Sequence, residues 1–225
     1  MADKRLDRIF TTLLERYGPR HWWPGETPFE VCVGAILTQN TNWGNVEKAI
    51  ANLKAADRLS VTGIADLLPA ALAALIRPAG YFNVKAVRLQ AFTTFLQQQY
   101  QGSLDRLFAA PWQQTRTELL AVKGIGPETA DSMLLYAGHK PSFVVDAYTR
   151  RIFSRLGLVD ERISYDGLRR HFMDRLTLDT ALFNEYHALL VELGKQACRP
   201  RPQCSSCCLA AQCSYNATKN QSKCS

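Results

Sequence analysis

No stretch of this 225-residue chain approaches the roughly 20 consecutive apolar residues that a membrane-crossing helix needs; the longest, such as Val31–Leu37, fall far short. The N-terminus, MADKRLDRIF, has no apolar signal core, so a soluble, cytoplasmic protein is expected and a membrane partner is not. No run alternates apolar and polar residues for long enough to make a convincing strand. Internal repeats and low-complexity blocks are missing, and Pro and Gly are spread too evenly to mark a linker. Acidic residues are outnumbered, 20 Asp+Glu against 27 Lys+Arg, and the net charge of +7 favours polyanionic partners without identifying one.

What is present reads as helix. The apolar share of 47% allows a sizeable core in one or two compact domains. Leu6, Ile9, Phe10, Leu13 and Leu14 form the apolar stripe of a first helix that Gly18-Pro19 ends. Thr27-Pro28-Phe29-Glu30 reads as a second helix start, with Thr27 as cap, Pro28 at the first position and Glu30 reaching back to the cap amide. Further helices are expected over 43–54, 81–100, 113–121, 127–137, 146–156, 164–175 and 179–196, so the fold class is all-α. The last dozen residues, SYNATKNQSKCS, are polar and aperiodic and read as a disordered tail.

Seven cysteines are present, and five of them, Cys198, Cys204, Cys207, Cys208 and Cys213, fall within sixteen residues. An odd number without a secretory signal argues for a metal site over a disulfide scaffold. Cys198, Cys204, Cys207 and Cys213 give C-x5-C-x2-C-x5-C, which suits a compact 4Fe-4S cluster better than tetrahedral zinc, whose cysteine pairs usually lie far apart. Cys208, beside Cys207, is a second choice for that position; Cys32 reads as a core thiol and Cys224 as a tail thiol. Arg199 and Arg201 fill the first loop, either pressing on a phosphate backbone or simply solvated.

Residues 119–137, LLAVKGIGPETADSMLLYA, hold a second pattern. Between two helices the chain must reverse within a few residues, and Gly124 and Gly126 permit positive φ and leave no Cβ in the way of an approaching surface. Pro127 starts the next helix, whose first-turn amides point back at the turn and suit a phosphate, without reading sequence. The full pattern L-x-x-V-K-G-I-G-x-x-T-A, with Val122 and Ile125 placed to pack the two helices together, is a helix-hairpin-helix signature.

The hairpin, the Val144-Val145-Asp146 segment after Gly138-His139-Lys140-Pro141, and the terminal cysteines together resemble the endonuclease III branch of the helix-hairpin-helix (HhH-GPD) DNA glycosylase superfamily, over about residues 5 to 213. The resemblance implies a six-helix barrel over 22–138 and a cluster domain from 1–21 and 139–213, with 214–225 as tail. It implies a monomer acting on double-stranded DNA with a damaged base in base excision repair, nucleoid-associated in a bacterium or archaeon. Lys123, Gly124, Ile125, Gly126 and Thr129 would grip the DNA backbone with a monovalent cation, Asp146 would be catalytic, and the four cysteines would hold a 4Fe-4S cluster. Asp146 also suits an N-cap, worth about 1 kcal/mol.

Two positions depart from the family pattern. The first cysteine gap is one residue shorter than the common one. Bifunctional members carry a Schiff-base lysine two residues after the second hairpin glycine, where this chain has Glu128, so hydrolysis without strong AP lyase activity is expected. His21-Trp22-Trp23-Pro24 and the Leu37–Trp43 segment resemble 3-methyladenine DNA glycosylase III, in which aromatics stack a flipped alkylated purine; Trp22, Trp23, Trp43 and Glu128 would line the substrate site, and Gln39 would enter the gap the base leaves. Removal of oxidised pyrimidines or mismatched uracil or thymine by a glycosylase/AP lyase is the alternative, and a non-catalytic DNA-binding protein is the alternative of another class.

Overall fold

The computed structural model of the chain describes residues 3–22 and 25–221. Its internal contacts separate a terminal unit, Met1–Trp22 with Pro141–Ser225, from a central unit, Trp23–Lys140. Among the described residues there is no strand, and no helix is long and apolar enough to cross a membrane.

The terminal unit opens with α1 (Lys4–Tyr17). Asp3 caps it by accepting from the Arg5 amide at 2.9 Å, Leu6, Ile9 and Leu13 are its buried stripe, and the Gly18 amide closes it on the Leu14 carbonyl. The central unit follows as α2 (Pro28–Leu37), α3 (Trp43–Ala55), α4 (Val61–Ala65), α5 (Pro69–Leu75), α6 (Phe82–Tyr100), α7 (Leu104–Ala109), α8 (Trp112–Ala121) and α9 (Pro127–Ser132), which continues as a wider π-helical turn over Met133–Ala137. The chain then returns to the terminal unit with α10 (Ala147–Arg155), α11 (Tyr165–Met173), α12 (Thr180–Gln196) and α13 (Ser214–Gln221).

Helix α2 runs through the middle of the central unit against α3, α6 and α9. Val31, Cys32, Val33, Ile36 and Leu37 are all buried, which is why it shows an apolar run and not a stripe. Thr27 caps it, accepting from the Glu30 amide at 3.1 Å, but Glu30 does not reach back to the cap amide. Its carboxylate meets Lys54 Nζ of α3 at 2.9 Å, a charge-assisted contact stronger than one to a neutral amide. α6 packs on α2, α4, α5 and α7. Helices α4, α5 and α7 are missing from the periodicity reading because five to seven residues are too few to display a period; Ser60 and Ser103, which cap α4 and α7, were the available signal.

In the terminal unit Phe143, Phe153, Phe172, Phe183 and Tyr186 form an aromatic core, with Phe143 stacked on Phe172 at 3.9 Å between centroids. The Tyr186 hydroxyl donates to the Leu6 carbonyl at 3.0 Å and ties α12 to α1. Residues 214–221, read above as part of a disordered tail, are helical: Ser214 Oγ donates to the Leu156 carbonyl and the Arg155 guanidinium lies over the Tyr215 ring, contacts that periodicity does not register.

Candidate functional site

In the central unit, α8 and α9 form the expected hairpin. Arg116 of α8 grips Asp131 of α9 with two bonds, Nε to Oδ1 at 2.8 Å and Nη2 to Oδ2 at 3.1 Å, and the Asp131 side chain has no exposure at all. Val122 and Ile125 are buried. The two glycines differ. Gly124 has φ +91, whereas Gly126 is extended, with φ −92 and ψ 176, so only the first uses the positive φ that glycine permits. The space beside Gly124 is filled, since a Cβ there would collide with the stem of Arg88 from α6. Beside Gly126 there is nothing within 4 Å, so the backbone is open to an outside surface at the second glycine. Lys123 and Glu128 are exposed at either end of the turn, and Thr129 is buried.

Gln39 is drawn onto this hairpin. Its side-chain amide donates to the Gly124 carbonyl at 3.1 Å and to Thr129 Oγ1 at 2.9 Å, while its oxygen accepts from Arg88 Nη1. One turn earlier on α6, Lys85 is 1% exposed and donates to the Leu37 carbonyl at 2.8 Å and the Ala79 carbonyl at 2.7 Å. Burial, and then the Arg88 charge, push the pKa of this amine down. Lys85 and Arg88 thus hold the turn after α2 at both ends. Thr41 Oγ1 donates to the same Ala79 carbonyl, tying that turn to the one that carries Tyr81. Tyr81 is 71% exposed in the left-handed region, φ +45, a conformation costing about 1–3 kcal/mol. Lys85 and Arg88 carry no mark in the sequence, because basic residues on a helix read as a solvated face, and the left-handed φ of Tyr81 is visible only in the folded backbone. Trp43 begins α3, donating to Glu47 Oε1 at 3.0 Å with its ring edge against Gly34 of α2.

In the terminal unit, Asp146 is the N-cap of α10. One carboxylate oxygen, Oδ1, accepts from both the Thr149 amide at 2.7 Å and Thr149 Oγ1 at 2.9 Å. The other, Oδ2, lies 3.6 Å from His187 Nε2. Burial pushes the Asp146 pKa up, but the nearby His187 and the Thr149 bonds outweigh it, and the net shift is downward. Trp22 stacks on His187, 5.5 Å between centroids and 21° between planes. His187 sits inside an ordinary apolar helix pattern, and no spacing rule marks it. Trp23 lies outside the described residues.

Cys198, Cys204, Cys207 and Cys213 line one small cavity with Arg155 and Tyr215. Cys208 is not in that lining and lies within range of the Arg16 charge of α1. Among the described residues, no three His, Cys, Asp or Glu side chains stand in a metal-holding arrangement. Two arginines of α10 staple the loop: Arg151 Nε donates to the Cys198 carbonyl at 2.8 Å, and Arg155 donates to the carbonyls of Arg199 and Pro200 at 2.6 and 2.9 Å and to Cys198 Sγ at 3.4 Å. Arg199 bends back to the Lys195 carbonyl. Cys32 is fully buried and its thiol pKa is pushed well up by burial, as a core thiol should be; Cys224 lies outside the described residues.

Sequence and structure comparisons meet these features. A candidate DNA repair glycosylase of Methanocaldococcus jannaschii is 47% identical over 208 residues, 92% of this chain and 94% of its own. Endonuclease III of Thermotoga maritima is 30% identical over 212 residues, 93% of this chain and 92% of its own. The crystal structure of H. pylori 3-methyladenine DNA glycosylase (MagIII) bound to 1,N6-ethenoadenine is 32% identical with a TM-score of 0.70, covering 86% of this chain and 95% of that one. The family model of HhH-GPD superfamily base excision DNA repair proteins matches residues 33–177, a span that takes in Gln39, the hairpin and Asp146, and the chain belongs to that superfamily of DNA glycosylases.

Proposed function

We propose that this DNA glycosylase releases an alkylated purine such as 3-methyladenine by hydrolysis and lacks strong AP lyase activity. The observation that carries the reading is Glu128, an exposed carboxylate where bifunctional relatives place their lysine. A carboxylate forms no Schiff base with the sugar. Lys85 has the depressed pKa that such chemistry demands, yet it is sealed from solvent and holds two carbonyls. The 32% identity with a glycosylase solved with an ethenoadenine supports a purine lesion. Asp146 stabilises the positive charge that grows on the sugar as the base departs, Trp22, Trp23 and Trp43 supply aromatic faces that attract a cationic base, and Gln39 and Tyr81 enter the duplex where the base leaves.

The test is a panel of single-lesion duplexes with borohydride present. The expected result is base release from the alkylated-purine duplex, strands intact until alkali is added, and no trapped adduct. Efficient trapping with coupled strand cleavage would favour the second reading, an endonuclease III-like glycosylase/lyase, for which the 30% identity with that enzyme speaks. Binding without release from any duplex would favour a non-catalytic DNA-binding protein.

The hairpin grips duplex backbone at Gly126, where the main chain is open. Gly126→Ala should melt close to wild type yet weaken binding to plain and damaged duplex alike. Gly124→Ala, forced onto positive φ and against Arg88, should instead destabilise the fold by about 1–3 kcal/mol. Reversed outcomes in melting and filter-binding measurements would contradict this assignment.

Cys198, Cys204, Cys207 and Cys213 are the residues that would hold a 4Fe-4S cluster, and their shared cavity is the observation that fits it. The cluster would supply iron–thiolate bonds that tie these four cysteines together, while Arg151 and Arg155 fasten the loop to α10. Protein purified without added metal should contain about four iron atoms per chain, lose them on Cys204→Ser and keep them on Cys208→Ser. Stoichiometric zinc in place of iron would overturn the assignment.

A further inference from the structure

We infer that His187 makes base release pH-dependent through Asp146: neutral, it leaves the carboxylate charge intact; protonated, it cancels that charge. The inference rests on the catalytic role given to Asp146 above. Both Thr149 donors use Oδ1, so Oδ2 is the oxygen left to face a substrate, and the 15% exposure of the side chain gives it a way out. His187 Nε2 stands 3.6 Å from that oxygen. The imidazole is 5% exposed and Trp22 covers its face. Trp22 is held there because the segment before it is fastened to α12: the Arg20 and His21 amides donate to Glu185 at 2.5 and 3.4 Å, and the Arg20 guanidinium pairs with Glu192 at 3.3 Å.

Asp146 is the charge set against the imidazole. Of the other charged groups on elements packed against α12, Arg151 of α10 bonds the Gly194 and Cys198 carbonyls, Asp3 and Asp7 at the start of α1 act on Tyr186, and Glu185 and Glu192 are occupied by Arg20. As the glycosidic electron pair leaves with the base, positive charge grows on the sugar, and a full carboxylate charge stabilises it. A neutral imidazole leaves that charge intact, whereas an imidazolium 3.6 Å from Oδ2 opposes it in a largely buried site where screening is weak.

The experiment is single-turnover release of a methylated purine from duplex, with uncatalysed release subtracted, for wild type, His187→Gln and Asp146→Asn. Wild type should lose about tenfold in rate between roughly pH 8 and 5, the window in which histidines charge. His187→Gln, which keeps an N–H donor but cannot charge, should lie within about tenfold of wild type at the upper pH and change less than about threefold across the window. Equal acid limbs in both proteins would overturn the inference while leaving Asp146 in place. A wild type that releases no methylated purine, or an Asp146→Asn protein as fast as wild type, would instead overturn the functional reading. Imidazole titration followed by NMR, with four histidines to assign, tests the pair even if His187→Gln does not fold. Identical His187 ring resonances in wild type and Asp146→Asn would sink the coupling.

Discussion

Asp146→Asn is expected to slow release of a methylated purine by about 10²- to 10⁴-fold while duplex affinity stays near wild type. Asn caps a helix as well as Asp does, and its oxygen can accept the same two Thr149 bonds. What disappears is the negative charge, so the loss falls on the chemical step. Asp146→Ala would also forfeit the cap, about 1 kcal/mol, and could not separate the two roles. The same carboxylate leaves a mark on stability. Its folded pKa is depressed, because the His187 and Thr149 interactions outweigh the opposing effect of burial, so its contribution is fully present above the unfolded value of about 3.9 and is lost as pH falls through the folded one. The stability difference between wild type and Asp146→Asn should therefore shrink on acidification. A difference that stays constant from neutral pH to acid would contradict the depressed pKa.

Arg116→Met should destabilise the protein by about 3–5 kcal/mol, the usual cost of leaving a buried charge without its partner. The carboxylate of Asp131 has no exposure, so removal of the guanidinium takes two charge-assisted bonds from a buried charge between α8 and α9. Replacing both, with Met at 116 and Leu at 131, should recover most of the loss, since apolar pairs of similar volume often match a buried ion pair. Because the pair braces the hairpin, the single variant should also weaken duplex binding, and the double variant should restore it. Denaturant titration of the three proteins checks this; a single-variant loss under about 1 kcal/mol would mean that the pair is screened as a surface bridge is.

Long periodic segments made the helical class readable: α1 showed its Leu6, Ile9 and Leu13 stripe, and α12 its full length, because 3.6-residue periodicity is a local consequence of burying one face. The hairpin was readable for a similar reason, since a reversal this tight restricts residue type wherever it occurs. Glu128 and the cysteine spacing were legible as departures from or matches to a pattern of neighbours in the chain. The three short helices were not, and neither was the helix at 214–221, whose stability comes from Arg155 and Leu156, some sixty positions away.

The working parts of both units depend on distance in space. Lys85 reads as one more exposed cation until α2 and the turn before α6 place two carbonyls on its amine. Gly124 and Gly126 are interchangeable as letters, and only the stem of Arg88 makes the first a packing position and leaves the second open. His187 is one more residue of a buried helix until the cap of α10 brings Asp146 to 3.6 Å. The amino-acid order by itself determined where backbone can turn, which faces are apolar and which side chains have the chemistry to bind metal or stabilise charge, because these follow from bonds and near neighbours. The tertiary structure alone decided which carboxylate oxygen is spent on a cap, which cation is buried and which histidine meets which acid, because electrostatic and steric partners act across space and sequence separation carries no record of them.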